Sequence, residues 1–296
     1  MFFELYWQYF VAGLILYIIA RIGYGVYSGL QKKKKAFSGL QKKYDDIRRL
    51  DQVIEEETDT SNEEVEDDGL TPALPKDLKH IPLKFEKLTV EDSIAKSAQF
   101  YDLMNKRRTV RHFSSDFVPK EIIHNIIKTA GTAPSGAHTE PWTYVVVSCP
   151  EMKLKIRQII ENEEEINYKK RMSREWTADL KPLKTNWVKE YLTDAPYLIL
   201  VFKQLYSFRE DGRKKTHYYN EQSVSLAAGI LLTAIQVAGL VSLTSTPLNC
   251  GPALRLLLGR PNSEKLTLLL PVGYPAEGCE VPDLKRKPLE DIMVEF

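Results

Sequence analysis

Cysteine is scarce and uninformative. The chain has three, Cys149, Cys250 and Cys279, widely spaced and with no CxxC pair. That excludes a disulfide framework and a zinc knuckle and points to a reducing compartment for the main domain. Charge bias is also missing. Lys plus Arg is 41 and Asp plus Glu is 40, which argues against nucleic acid as the main partner. No GxGxxG and no GxxxxGK[ST] occurs, so neither a Rossmann nor a P-loop site is signalled. HExxH and GxSxG are absent, and His80, His112, His124, His138 and His217 lack metal-ligand spacing. A hydrolase or a metalloenzyme is therefore a poor reading, and no metal is expected. Cys250 has no base near it in sequence and reads as a buried structural residue.

What is present divides the chain into three. Residues 1–30 hold Leu5–Tyr27, LYWQYFVAGLILYIIARIGYGVY, long enough for the about 20 residues a bilayer needs. Aromatic residues sit near both ends of this stretch, and Lys32–Lys35 follow it, so the expected orientation places the rest of the chain in the cytosol. A cleaved signal peptide is the competing reading, but the positive charge is on the wrong side. Residues 31–80 are polar and run from basic to the acidic stretch EEETDTSNEEVEDD. So few apolar residues cannot offset the entropy of ordering, and a partly disordered tether is expected. Residues 81–296 form the globular domain.

In that domain, Thr89 with Asp92 predicts a helix start. Pro119 and Gly131 bracket a second helix with apolar Ile122, Ile123, Ile126, Ile127 and Ala130. Strands are expected at 143–149, 197–202, 240–244 and 266–272. Helices are expected at 151–172, 181–192, 222–238 and 252–258, and 282–296 reads as an arm. Such alternation implies an α+β or α/β domain.

Four stretches could carry chemistry. Gly131–Trp142, GTAPSGAHTEPW, is a turn-rich loop whose small residues would let a flat or anionic ligand approach the backbone. It serves equally as a helix-to-strand connection. Arg107, Arg108 and Arg111 suit a phosphate, or merely cap a helix dipole. Lys285-Arg286-Lys287 is a second basic cluster, or a solvated tail. Thr244-Ser245-Thr246-Pro247 offers hydroxyls to a flat ring, or is a strand edge running into a turn. Glu164 and Tyr168 are four apart, with Lys189 beyond. Together they could bind a zwitterionic amino acid, although charged helix faces are usually just solvated.

The strings NKRRTVRHF, GTAPSGAHTEPWTYVVV, EEEINYKKRM, NWVKEYL, KKTHYYNEQSVSLAAGILL, TSTPLNCGP, LLLPVGYP and VPDLKRKPL together resemble the nitroreductase superfamily and, within it, the iodotyrosine deiodinases. The likeness runs from about Ile81 to the end. It implies a three-layer α+β fold with a central mixed, mostly antiparallel sheet, in a domain-swapped homodimer behind an N-terminal transmembrane helix in a plasma or vesicle membrane. It implies FMN as cofactor and reductive removal of iodide from 3-iodo-L-tyrosine and 3,5-diiodo-L-tyrosine. The electrons would come from NADPH through a partner reductase, a salvage step of thyroid hormone metabolism. Carried over by position, Arg107, Arg108, Thr109, Val110 and Arg111 would hold the FMN phosphate and ribityl chain, joined by Arg286. Pro134 and Ser135 would lie along the cofactor. Thr244, Ser245 and Thr246 would meet the isoalloxazine, with Thr246 as the catalytic residue. Ala137 would offer its N–H to the substrate phenolate, and Glu164, Tyr168 and Lys189 would clamp the amino-acid end. Two rival readings stand beside this one: a nitro- or quinone reductase on the same fold, and a non-catalytic iodotyrosine-binding protein.

Overall fold

The structure is a computed structural model that describes residues 77–209 and 212–296, with 74, 75 and scattered positions between 17 and 31. The expected membrane span and most of the tether lie outside the described residues. Among those described, no helix is long and apolar enough to cross a membrane. The described residues from 77 onward belong to one compact unit.

Its centre is a four-stranded sheet in the order β1 (Trp142–Val147), β2 (Tyr197–Gln204), β6 (Glu264–Gly273), β5 (Val241–Ser242). Neighbouring strands pair antiparallel. A parallel bridge from Thr109 to Ser242 adds the mixed component. A separate hairpin, β3 (Tyr206–Phe208) with β4 (Lys214–Thr216), follows β2.

The reason for the layers is written in β2. Side chains alternate across a strand, yet Tyr197–Phe202 is buried throughout. Both faces must therefore be covered. Leu198, Leu200 and Phe202 pack with Ile156 and Ile160 of α3 (Pro150–Ile166) and Leu254 of α7 (Gly251–Leu257). Tyr197, Ile199 and Val201 pack on the other side with Ile123 and Ile126 of α2 (Lys120–Ala130) and Val224, Leu231 and Ile235 of α6 (Asn220–Val237). Each fully buried Leu or Ile is worth about 1.5–3 kcal/mol relative to exposure. This is the expected three-layer α+β arrangement.

Helix ends follow local chemistry. Thr89 caps α1 (Val90–Asn105) by accepting from the Asp92 N–H at 3.1 Å. Pro119 and Gly131 flank α2 as expected.

The first helix, α1, ends at Asn105; just past it the Arg107 N–H donates to the Met104 carbonyl at 3.0 Å, and Arg108 and Arg111 follow. One expectation needs correction: 181–192 is not a helix. A single 3-10 turn, Lys181–Leu183, ends at Lys184, which adopts the left-handed conformation at φ 50°. The Asn186 side chain then accepts from the Val188 N–H at 2.7 Å. Such an Asx turn competes with helical bonding, so only α5 (Tyr191–Asp194) is helical. Between α3 and α4 (Arg174–Leu180) the chain makes a π-helical turn, Asn167–Arg171.

Candidate active site

The sheet edge brings the first basic cluster to the hydroxyl-rich segment. Val110 N–H donates to the Ser242 carbonyl at 3.2 Å, and Thr109 bridges Ser242. Farther on, Ser114 N–H donates to Tyr274 O at 3.0 Å and Ala276 N–H to His112 O at 3.0 Å. Residues 109–114 are thus laced beside β5 and the end of β6. Immediately past β5, Ser245 exchanges both backbone hydrogen bonds with Leu269 of β6, at 2.9 and 2.8 Å. Thr244 and Thr246 flank this anchored residue and are exposed.

The second basic cluster returns to the first. Arg286 Nη2 donates to the Arg107 carbonyl at 3.0 Å, across 179 residues of sequence. Burial, and secondarily the Arg286 charge, lower the Arg107 pKa. Among the described residues, none of Arg107, Arg108, Arg111 and Arg286 forms an ion pair with a carboxylate. Guanidinium groups gathered without anions are suited to a phosphate, which offers oxygens for fixed-geometry donors.

A cavity of about 320 Å³ opens beside this edge. One part of its lining is Arg111, Thr244, Ser245 and Thr246; another carries Glu164, Tyr168 and Lys189. Met172, Trp176, Leu180 and Leu248 add apolar surface. Glu164 and Lys189 are buried, at 8% and 7% exposure, and lie 3.7 Å apart. Burial lowers the Lys189 pKa, and the nearby Glu164 acts against that fall. Lys189 Nζ also donates to the Asn186 carbonyl and stands 5.4 Å from the Tyr168 ring centre. The Tyr168 pKa is raised, first by burial and then by Glu164. Its ring meets Trp187 edge-on at 6.0 Å. Opposite charges held at one end of a half-apolar cavity can receive an ammonium and a carboxylate. The hydroxyls elsewhere in its lining can meet a ring bearing heteroatoms.

Seven of the expected site residues line this cavity, and five more, Arg107, Arg108, Thr109, Val110 and Arg286, belong to the segments of its basic edge. Pro134, Ser135 and Ala137 do not line the cavity. Their loop is held elsewhere in the chain: Ser135 Oγ accepts from the Glu140 N–H at 2.9 Å. At Gly136 an added Cβ would meet the Tyr218 carbonyl at 3.0 Å and the Tyr219 ring at 3.3 Å. Glycine is required there by close approach, and Ala137 follows at φ 48°.

Sequence reasoning missed Tyr191 and Asn167. Tyr191 lines the cavity and shares a side-chain hydrogen bond with Ser245. Its hydroxyl pKa is raised, chiefly by burial. Its nearness to Lys189 was the available signal. Asn167 is wholly buried, but in a charged stretch it looks solvated.

The profile of the nitroreductase family matches residues 104–274. An iodotyrosine deiodinase of Daphnia pulex is 63% identical over 233 residues, 79% of this chain and 78% of that protein. Iodotyrosine deiodinase 1 of Homo sapiens is 50% identical over 288 residues, 97% of this chain and 99% of that protein. Among solved structures, oxidized iodotyrosine deiodinase bound to FMN and 3-iodo-L-tyrosine superposes with TM-score 0.58 at 32% identity. That match covers 67% of this chain and 98% of the other.

Proposed function

The chain belongs to the nitroreductase family, in its iodotyrosine deiodinase branch; from that membership and from the cavity we propose that it releases iodide reductively from 3-iodo-L-tyrosine and 3,5-diiodo-L-tyrosine. The observation that carries this reading is the buried Glu164–Lys189 pair lining one cavity with Thr244, Ser245 and Thr246.

The residues fit FMN. Arg107, Arg108, Arg111 and Arg286 would hold its phosphate, with Thr109 and Val110 alongside. Ser245, locked to β6, would keep Thr244 and Thr246 in register along the ring. When bound, FMN supplies the two electrons that, with one proton, exchange a C–I bond for a C–H bond and free iodide. The protein's part is to bind and orient. The Glu164 carboxylate receives the substrate ammonium. Lys189, partly relieved of Glu164, receives the substrate carboxylate. Tyr168 would close over the phenol and exclude water. Thr246 would hold its hydroxyl toward the bound cofactor.

A homodimer would complete the site. Pro134, Ser135 and Ala137 would then be supplied by the second copy, with the Ala137 N–H on the substrate phenolate. Supporting this, α1 has no buried residue, and its Ile94, Phe100 and Tyr101 are 64%, 51% and 63% exposed. Leu226 of α6 and Leu284, Leu289 and Ile292 of the C-terminal arm are likewise exposed. Exposed apolar side chains grouped in this way support an interface with a second copy. The N-terminal segment would anchor the protein in a membrane with the catalytic domain on the cytosolic side. An NADPH-dependent reductase would deliver the electrons.

The test separates this from nitro- or quinone reduction. The FMN-loaded protein should release iodide from 3-iodo-L-tyrosine under dithionite and oxidise NADPH only slowly when given a nitroaromatic acceptor. Rapid direct NADPH oxidation without iodide release would replace the reading.

A further inference from the structure

Two walls of the cavity come from different parts of the chain. Glu164 ends α3, whereas Thr244–Leu248 follows β5. The amino-acid grip and the hydroxyl wall must keep a fixed separation for a substrate to reach both. Asn167, at 0% exposure, lies between them in the π-helical turn. π turns inside helices are frequent at functional sites because the extra residue re-aims side chains.

An asparagine side chain offers two N–H donors and two acceptor lone pairs. All four are used here. Asn167 Nδ2 donates to the Leu248 carbonyl at 3.1 Å and lies 3.5 Å from Glu164 Oε1. Its Oδ1 accepts from Asn249 Nδ2 at 3.2 Å and from Arg171 Nη1 at 3.1 Å. Two partners belong to the Glu164 wall and two to the end of the hydroxyl segment. Arg171 is itself ion-paired to Glu163 at 2.8 Å. Asn249 sits at φ 62°, a left-handed conformation that asparagine tolerates.

We propose that Asn167 is a positioning residue that fixes the Glu164 carboxylate relative to the 244–249 segment, and so sets preference for phenols that carry an amino-acid group. This rests on the functional reading above. A side chain that only filled space or held the fold would influence every ligand alike. The hydroxyl segment is also locked to β6 through Ser245 and Leu269, so losing Asn167 chiefly frees Glu164 and acts on ligands that use Glu164. Aspartate has nearly the same shape but turns both donors into acceptors, facing the Leu248 carbonyl and the Glu164 carboxylate. It should be worse than alanine.

The experiment titrates the FMN-loaded full chain with 3-iodo-L-tyrosine and with 2-iodophenol, which lacks the amino-acid group, reading flavin fluorescence. Asn167→Ala should weaken iodotyrosine binding about tenfold, the scale of one hydrogen bond to a charged group, and leave 2-iodophenol within about twofold. Asn167→Asp should weaken iodotyrosine further. In a Glu164→Gln background, Asn167→Ala should add little, because coupled residues are not additive. Asn249→Ala removes only the far side of the tie and should show the same selectivity at several-fold, including where an Asn167 variant fails to fold. Equal losses for both ligands would reduce Asn167 to a structural role. Parent-like iodotyrosine affinity in both Asn167→Ala and Asn249→Ala would also overturn the proposal. A parent protein that binds no iodotyrosine would sink the functional reading itself, and this inference with it.

Discussion

The sheet around β2 and the cavity beside β5 are built from opposite materials. From Tyr197 to Phe202 the sheet buries only apolar and aromatic side chains, sealed by helices on both faces. The cavity buries charge, with Glu164 and Lys189 almost wholly removed from water where α3 runs into a π turn and where the chain leads into α5. The difference separates stability from selectivity. A buried ion pair is weak evidence for stability, because desolvation offsets its Coulomb gain. Its value is to a ligand that brings both opposite charges. The sheet supplies rigidity; on the proposed reading, the cavity supplies a charge pair that a zwitterion would take over.

Several perturbations should break or sharpen this contrast. Leu200→Ala, in the sealed core, should cost about 3–5 kcal/mol by urea unfolding while leaving iodotyrosine affinity nearly unchanged in the folded fraction. Loss of affinity to match would show that core and cavity are not separable. Lys189→Ala removes the cation that would take the substrate carboxylate and should weaken iodotyrosine binding about a hundredfold or more, the scale of truncating one partner of a buried charge contact. Unchanged binding would remove the clamp. Thr246→Ala should lower iodide release by about tenfold or more while FMN and iodotyrosine still bind, the signature of an interaction made during reaction. Arg286→Ala should weaken FMN by about tenfold, as expected for one charged hydrogen bond, with iodotyrosine affinity of the loaded protein preserved.

The smallest effect falls on Tyr144 of β1. Burial pushes its phenol to about 12, and its buried hydroxyl has no partner among the described residues. The folded state keeps this proton after the unfolded chain, near pH 10, has lost it. Stability from this group is therefore present below pH 10 and declines as pH rises from 10 toward 12. Tyr144→Phe should be neutral or slightly stabilising at pH 7 and should flatten the alkaline decline. Guanidinium unfolding at the two pH values reads the difference, and a steeper decline would refute the assignment.

The same contrast explains what the sequence made legible. The run YLILVF announces a buried strand because burial on both faces needs no polar residue. Pro119 and Gly131 announce a helix because their backbones suit its two ends. The cavity has no such period. Glu164 and Tyr168 look like a solvated helix face, and only the strings around them suggested a clamp. Lys189 sits in a stretch that reads as helical and is not, because Pro182, the left-handed Lys184 and the Asn186 turn break it. The π turn that places Asn167 leaves no mark in hydrophobic spacing. The two basic clusters were visible, but their meeting depends on the strand bridge at Thr109 and the reach of the C-terminal arm.

The most direct measurement reconstitutes the full chain with FMN, reduces it with dithionite and counts iodide released from 3-iodo-L-tyrosine, beside the Lys189→Ala variant. The expected result is a yellow protein that yields one iodide and one tyrosine per substrate consumed, with release sharply reduced in the variant at low substrate. A protein that stays colourless after reconstitution, or a yellow one that yields no iodide, would contradict it.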